Sequence, residues 1–340
     1  MSLSLIAGPA NAGKVEQLLD RYLDSLEREP VLIVPNRPDV ERVERELLGR
    51  RPALLGGTIG TFDDLFERLA YGAEGARPLL SRVQRALLVR RTLAGASLNG
   101  LSASSRFAGF AESLQQALGE LESGLLDPDD LDGDLASLYA AYRAELDRFG
   151  RWDRDLLRRR AAERLASDLG AWGGEPVFAY GFEDLTGAEW ALLEALAGRT
   201  EVVVSLPYEP GRPAFASLRR TAEDLARLAG GAIEELPPRY GEVAHPALAH
   251  LERALFVDEA QPPAAIEGAV RFFEGAGTRG ALELVGEELL ALLRAGTAPE
   301  RIGIVCPSVE RRRNPLETAL GSLGVPYSID GDVRLVGTPF

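Results

Sequence analysis

The residues best suited to chemistry lie in a glycine-rich turn close to the start of the sequence. Residues 8–15 read Gly-Pro-Ala-Asn-Ala-Gly-Lys-Val and match the pattern G-x-x-x-x-G-K. In such a turn the backbone N–H groups face phosphate oxygens, and the lysine reaches the terminal phosphates of a nucleotide. The sequence therefore predicts a phosphate-binding loop, whose candidate residues are Gly8, Asn11, Ala12, Gly13, Lys14 and Val15.

The residue after the lysine departs from the pattern. Working phosphate loops have Ser or Thr at this place, whose hydroxyl binds Mg²⁺, whereas this chain has Val15. Phosphoryl transfer loses a main source of charge stabilisation when Mg²⁺ is not held correctly. We therefore expect a degenerate site for ATP with Mg²⁺, which binds weakly or is a relic. The alternative is a strand–turn–helix corner that contains Gly and Lys and binds nothing.

An acidic pair is the second requirement for ATP hydrolysis, because it holds Mg²⁺ and activates the attacking water. Glu183 and Asp184, which follow an apolar segment at residues 176–182, are the weak candidates for this catalytic role. The alternative is that Asp184 caps the next helix, which begins close to Thr186 and Glu189.

The elements that would position these residues alternate between strand and helix. An apolar strand at residues 2–7 precedes the turn, and a helix with a 3.6-residue apolar stripe follows it. Further strands are predicted at residues 31–34, 56–60, 176–182 and 201–208. Alternation of this kind predicts an α/β fold with a parallel sheet. Residues 78–170 show only helical periodicity, so an all-helical block interrupts the pattern.

The alternation resumes after a proline-rich stretch near residues 261–265. The apolar segments 270–275, 301–307 and 325–329 are predicted to be strands, with helices between them. The chain is therefore expected to have four parts. They are the start of a first sheet domain (1–77), a helical insertion (78–170), the rest of the first domain (171–262) and an incomplete second domain (263–340).

Composition limits the partners. The formal net charge of −14 argues against indiscriminate wrapping of nucleic acid but leaves room for a local basic groove. A short basic run, Arg311, Arg312 and Arg313, is interpreted as a solvated loop at a strand-to-helix junction. Its alternative role is contact with DNA phosphate or with a partner subunit.

Other single residues indicate little chemistry. The only cysteine, Cys306, is expected to be buried beside a strand, and it favours a reducing, cytoplasmic setting. His245 and His250 are five residues apart and are expected at the surface or in caps rather than on a metal. No signal peptide or membrane-spanning run is expected. Three aromatic residues could stack on bases, although packing in a core is favoured: Phe62, Trp152 and Tyr180.

The order and spacing of these blocks resemble superfamily-1 helicases, and more closely the AddB/RexB family of bacterial helicase–nuclease subunits. The resemblance lies in GPANAGKV, VLIVPNRPDV, GTIGTFDDLFERL, PVFAYGFEDLTGAEWALLEALA and EVVVSLPY. The segment that begins IGIVCPSVERRR is similar to the start of a second motor domain. The resemblance implies a P-loop NTPase (RecA-like) parallel sheet, domain 1A, with an inserted helical 1B-like subdomain and the start of a second RecA-like domain, 2A.

The sequence departs from an active helicase at several places. Active members have adjacent Asp and Glu at the end of the strand where this chain has Tyr180, Gly181 and Phe182. An arginine of the fourth helicase motif is replaced here by Cys306. Asp-Glu-Ala-Gln at 258–261 has the letters of the acidic motif, but it follows a helical segment and precedes two prolines. We therefore do not expect it to organise a metal.

The resemblance implies the amino-terminal, helicase-like part of such a subunit, in an ATPase-inactive form that serves as scaffold and DNA channel. The implied process is double-strand-break end processing and recombinational repair. The implied partners are a motor/nuclease subunit of the AddA type and single- or double-stranded DNA. The family's nuclease domain and its iron–sulphur cluster have no counterpart in these residues, because a cluster needs four cysteines. The alternatives are a weak but genuine ATPase motor and a protein-interaction module that binds neither nucleotide nor DNA.

Overall fold

Six short strands form one all-parallel sheet in the computed structural model, which describes residues 3–231, 233–257, 262–266 and 268–329. The strands are β1 (Leu3–Gly8), β2 (Val31–Ile33), β3 (Thr58–Gly60), β4 (Val177–Ala179), β5 (Val202–Pro207) and β6 (Ile233–Glu235). Their order across the sheet is β3-β2-β4-β5-β1-β6, and every neighbouring pair is parallel. The predicted α/β class and the first five strands are confirmed, whereas β6 was not predicted.

Helices make up most of the remaining regular structure. They are α1 (Lys14–Asp24), α2 (Arg37–Arg50), α3 (Phe62–Tyr71), α4 (Arg82–Gly95), α5 (Phe110–Ser123), α6 (Gly133–Phe149), α7 (Arg154–Ser167), α8 (Gly187–Ala197), α9 (Arg219–Leu228), α10 (Tyr240–Val243), α11 (Pro246–Ala254), α12 (Gly277–Arg294) and α13 (Val309–Ser322). Within the part of the chain that the structure describes, none of these helices combines the length and the apolar character needed to cross a bilayer.

The strand side chains alternate between two apolar clusters, one on each face of the sheet. Leu32 and Phe178 pack on the face covered by α1 and α2. Their neighbours Val31, Ile33 and Val177 pack on the opposite face with α3, α7 and α8. A parallel strand that is buried on both faces needs apolar residues at nearly every position. This is why β2, β4 and β5 are visible in the sequence as short continuous apolar runs.

The stretch between β3 and β4 is helical, as predicted. Helix α4 packs against α5 and α6, while α7 packs against α3 and α8 and so connects the helical block to the sheet. One ion pair reinforces this connection, because Arg158 Nε lies 2.7 Å from Asp63 Oδ1 of α3. A second joins α4 to α7 within the block, where Arg85 Nη2 lies 2.8 Å from Asp155 Oδ2. The all-helical character of the block is confirmed, whereas its boundaries as a separate domain stay a prediction.

Packing divides the chain into two units, Met1–Ala244 with Ala249–Pro262 and His245–Leu248 with Pro263–Phe340. In the second unit, α12 and α13 pack through Leu289, Leu320 and Val325. The strands predicted at 270–275, 301–307 and 325–329 are wrong, because residues 263–266 and 268–329 form no strand. A strand needs a partner for its backbone hydrogen bonds. No described segment pairs with these residues, and Val305 is 97% exposed.

Candidate phosphate-binding loop

The glycine-rich turn lies at the carboxyl edge of the sheet, directly after β1. Strand β1 lies between β5 and β6, and Gly8 at its end pairs with Pro207 of β5. In open parallel sheets the carboxyl ends of the strands form the edge where ligands bind. Residues 9–13 make the turn, and α1 begins at Lys14. The sequence therefore places its phosphate-loop pattern at the edge and helix end that phosphate binding requires.

Two glycines fix the shape of this loop. A Cβ on Gly8 would lie 2.9 Å from the carbonyl oxygen of Leu236 and 3.2 Å from Cβ of Ala12, so no larger residue fits without a shift. Gly13 precedes α1 with φ of 90°, and Asn11 has φ of 59°. Both lie in the left-handed region, which Gly tolerates best and Asn better than most residues. The glycine and asparagine positions of the pattern are therefore explained by backbone geometry.

Lys14 cannot be explained in this way. Its side chain is only 7% exposed, and its Nζ donates a hydrogen bond to the carbonyl oxygen of Pro9. Burial lowers the pKa of Lys14 from 10.5 to about 8. None of the ion pairs found among the described residues includes Lys14, so its charge faces a carbonyl dipole and the positive end of α1. A buried cation in this setting favours an anion as its partner.

The composition of the chain makes Lys14 more unusual. The sequence has 38 lysines and arginines together, and Lys14 is the only lysine. A compact ammonium group is the usual cation of phosphate loops, whereas arginine is the usual choice for bidentate contacts. In a chain that uses arginine everywhere else, a lone lysine at the lysine position of the pattern is a specific signal. A coding bias toward arginine accounts for the scarcity of lysine in the chain, but it does not account for the position of the one lysine that remains.

Val15 packs into the core instead of facing the loop. Its partly buried side chain joins the apolar cluster that contains Leu18 and Leu19 of α1. It offers no oxygen to a metal, and the described residues contain no group of three or more His, Cys, Asp or Glu side chains that could hold one. The donor set around the loop therefore does not fit Mg²⁺, which prefers oxygen ligands in octahedral geometry.

The acidic candidates follow the strand next but one to β1. Glu183 and Asp184 follow β4, which β5 separates from β1, so the two strands lie roughly 10 Å apart. Both side chains are exposed, and none of the hydrogen bonds or ion pairs found in the described residues links them to residues 8–15. The proposed cap is also wrong for Asp184, which accepts a hydrogen bond from the N–H of Leu185. Thr186 caps α8 instead, because it directly precedes the helix and its hydroxyl accepts a hydrogen bond from the N–H of Glu189.

The chain after β6 runs along the loop and forms a feature that sequence analysis missed. This flanking segment, Leu236–Arg239, begins with the N–H of Leu236, which donates to the carbonyl oxygen of Ala7 at 2.8 Å. It ends with Arg239, whose Nη1 lies 3.9 Å from the position that a Cβ on Gly13 would occupy. The two residues between are prolines, which restrict the backbone. A second cation therefore stands beside the phosphate loop.

A small pocket lies beside the same segment. It has a volume of about 350 Å³ and is lined by Glu209, Arg212, Pro238, Tyr240, Gly241, Arg253 and Val257. Glu209 comes two residues after Pro207, so this carboxylate follows the end of β5, the strand next to β1. It accepts hydrogen bonds from Arg212 Nη1 at 3.0 Å and from the Tyr240 hydroxyl at 2.8 Å. These partners hold the carboxylate in an ion pair, which makes it a poor metal ligand.

The remaining candidates lie far from the loop in sequence. Arg311, Arg312 and Arg313 lie inside α13, not in a loop at a strand end as predicted, because Ser308 starts the helix before them. Arg312 Nη1 donates to Thr278 Oγ1 at 2.9 Å, and Arg313 Nε donates to Glu317 at 3.0 Å. The acidic motif at 258–261 lies outside the described residues.

The other singled-out side chains pack as the non-catalytic interpretation predicts, with one exception. Phe62, Trp152 and Tyr180 are buried, which confirms their core packing. His245 accepts a hydrogen bond through Nδ1 from the N–H of Ala247, as expected for a capping residue. Cys306 is half-buried rather than buried, because the strand expected beside it is absent from the described residues; it lines an apolar cavity of about 750 Å³ in the second unit.

Three curated proteins are similar to the chain, and each is named as the B subunit of an ATP-dependent helicase/deoxyribonuclease. The chain is 29% identical to the protein of Desulforudis audaxviator over 383 aligned residues, 28% identical to that of Pelotomaculum thermopropionicum and 26% identical to that of Desulforamulus reducens. Each alignment covers 97% of the chain and 32% of the relative, so the chain spans about a third of their length. No protein-family model matches the chain. The resemblance to helicase–nuclease B subunits is thereby confirmed over nearly the whole chain.

Proposed function

We propose that this chain, which is related to B subunits of ATP-dependent helicase/deoxyribonucleases, is a helicase-like scaffold that binds nucleotide phosphates without hydrolysing them. The observation that carries the proposal is Lys14, the only lysine of the chain, whose buried ammonium group contacts a carbonyl oxygen of the loop. A buried charge is unfavourable until an opposite charge joins it. A phosphate at the start of α1 would supply that charge and would meet the backbone N–H groups of the loop.

The same geometry argues against hydrolysis. Hydrolysis needs a metal that bridges the terminal phosphates and a carboxylate that positions the attacking water. Val15 provides no metal ligand, Glu183 and Asp184 are exposed and have no hydrogen bond or ion pair to the loop among the described residues, and Glu209 is held by Arg212. Among the described residues, the loop therefore has groups that can bind phosphate and is not joined by groups that would transfer it.

We also propose the cellular role that the resemblance implies. The chain would act as scaffold and DNA channel in a complex with a motor/nuclease subunit of the AddA type, during the processing of double-strand DNA ends for recombinational repair in the cytoplasm. The relatives' shared name supports a complex of subunits that acts on DNA. Arg311 and Arg312 are exposed on α13 and stay the proposed contacts to nucleic acid, with Arg313 beside them.

The first experiment measures ATP binding and phosphate release by the whole chain and by two variants. Lys14→Ala is expected to weaken binding by about ten- to a hundredfold, the range of a charge-assisted hydrogen bond. Val15→Thr restores the missing hydroxyl and is expected to yield no turnover, since no hydrogen bond or ion pair among the described residues links Glu183 or Asp184 to the loop. Arg90→Ala, on α4 of the helical block, serves as a control for loss of an exposed arginine.

The outcomes separate the three functional hypotheses. Binding without turnover supports the scaffold. Turnover by the native chain that Lys14→Ala abolishes would select the weak motor. Absence of both ATP binding and DNA binding, together with a stable complex with an AddA-type subunit, would select the plain interaction module.

A further inference from the structure

We infer that the loop binds the polyphosphate of a nucleotide without Mg²⁺, and that the guanidinium group of Arg239 supplies positive charge in place of the metal. This inference rests on the proposed function, because it requires that Lys14 and the loop bind phosphate. It adds a ligand-binding residue that belongs to no part of the G-x-x-x-x-G-K pattern.

The first step is the charge that a polyphosphate brings to the loop. Nucleotide-binding sites normally neutralise neighbouring phosphates with a lysine and a metal ion together. Here the donor set does not fit the metal, since Val15 turns its side chain into the core. Lys14 alone leaves most of the phosphate charge unbalanced. A second fixed cation close to the loop is therefore needed if a polyphosphate is to bind tightly.

The second step is the position of Arg239. Its Nη1 lies beside Gly13, the residue directly before α1, at 3.9 Å from the point that a Cβ there would occupy. Leu236 at the other end of the flanking segment is hydrogen bonded to β1 and contacts Gly8. The segment is thus attached to β1 at its Leu236 end, and its two prolines limit how far Arg239 can move.

The third step is the chemistry of the guanidinium group. Its Nε donates to Glu242 Oε2 at 2.7 Å, and the hydrogen bonds found among the described residues include neither of its terminal nitrogens. Nη1, the atom nearest to Gly13, can therefore bind a phosphate oxygen while Nε stays on Glu242. The planar group suits two-point contact with phosphate. Two acidic groups oppose this arrangement, Glu242 and Glu16 in the first turn of α1, and both are exposed to solvent.

The test is calorimetric titration of the whole chain with ATP, once with Mg²⁺ and once with excess EDTA. Native protein is expected to bind equally well in both, within about threefold. In EDTA, Arg239→Ala should weaken binding about tenfold, equivalent to about 1.4 kcal/mol. Arg239→Lys should recover part of this loss, and Arg90→Ala should bind like the native chain. Inorganic triphosphate as a second ligand shows whether the phosphates alone are sufficient.

Each outcome bears on a different claim. Suppose the native chain binds ATP in Mg²⁺ but not in EDTA, and Lys14→Ala does not bind in Mg²⁺. The proposed function then stands, and metal-free binding is overturned. If Arg239→Ala binds like the native chain in EDTA, the assignment of Arg239 is overturned. If the native chain binds ATP in neither buffer, the proposed function itself fails. Tryptophan fluorescence during urea unfolding verifies that each variant is folded.

Discussion

Replacing Lys14 with Met should make the first packing unit more stable and, at the same time, remove its affinity for phosphate. The pKa of Lys14 falls from 10.5 to about 8 on folding, a drop of about 2.5. At about 1.36 kcal/mol for each pKa unit, this drop corresponds to roughly 3 kcal/mol of unfavourable free energy. Water near the ammonium group and the lost hydrogen bond to Pro9 reduce the expected gain to about 1–2 kcal/mol.

The pH dependence of stability follows from the same shift. Below about pH 8 the lysine is charged in both the folded and the unfolded protein, so the full unfavourable term is present. Between about 8 and 10.5 the folded protein binds fewer protons than the unfolded protein, and the contribution of this group to stability therefore rises with pH. The Lys14→Met variant lacks this rise.

Two assays measure these effects directly. All three tryptophans, Trp152, Trp172 and Trp190, belong to the first unit, so their fluorescence during urea unfolding reports its stability. Biosynthetic labelling with ¹³C-lysine gives one set of side-chain signals, because Lys14 is the only lysine. We expect these signals to titrate near pH 8 in the free protein and at higher pH once ATP is added, since a bound anion favours the ammonium form.

Either of two results would contradict the role proposed for Lys14. One is a titration midpoint near 10.5 in the free protein, which would mean that Lys14 is not desolvated. The other is a loss of stability above about 1 kcal/mol in Lys14→Met, which would make the lysine a structural residue. Lys14→Arg is the matched control, because it keeps a buried positive charge and should therefore not gain stability.

Three further predictions concern the loop, the helical block and a helix cap. Gly8→Ala should lower the free energy of unfolding by about 1–3 kcal/mol, because the added Cβ would lie 2.9 Å from a carbonyl oxygen. Gly49→Ala, in open space on α2, should instead raise the free energy of unfolding by up to about 1 kcal/mol. Urea unfolding compares the two variants. Glu122→Gln should lower the unfolding free energy by about 3–5 kcal/mol, since this fully buried carboxylate pairs with two arginines. The control Glu163→Gln, at an exposed position, should change the unfolding free energy by less than about 1 kcal/mol. Thr186→Ala removes a capping box and should lower the unfolding free energy by about 1 kcal/mol. An unchanged midpoint of urea unfolding would contradict a stabilising role for this cap.

Burial decides which strands of the sheet can be recognised in the sequence. Strands β2, β4 and β5 are buried on both faces, so each appears in the sequence as a short apolar run. Strand β6, Ile233–Glu235, is exposed at every residue and contains two glutamates, so it carries no such signal. Residues 301–307 carry the apolar signal but find no partner strand among the described residues. Whether β6 and residues 301–307 form strands depends on pairing with another strand, which local hydrophobicity does not predict.

The candidate site divides in the same way. The loop from Gly8 to Lys14 is contiguous, so its residues can be identified in the sequence alone. Arg239 reaches the loop only because β6 pairs with β1, which aligns Ile233 with Leu5 across more than two hundred residues of sequence. A signal for it did exist, namely the two prolines that precede it. That signal becomes meaningful only when the place of β6 in the sheet is known.

The residues of the loop differ in what the fold alone can explain. Gly8 has to be small because Leu236 passes close to it, and Gly13 has to adopt a positive φ, so both would be needed in a protein that binds nothing. The fold places no such demand on Lys14, because a buried ammonium group lowers stability and methionine would fill the same space. A relic corner would therefore account for the glycines and would leave the lysine unexplained. A phosphate ligand accounts for all three, which is why Lys14 decides between the two interpretations.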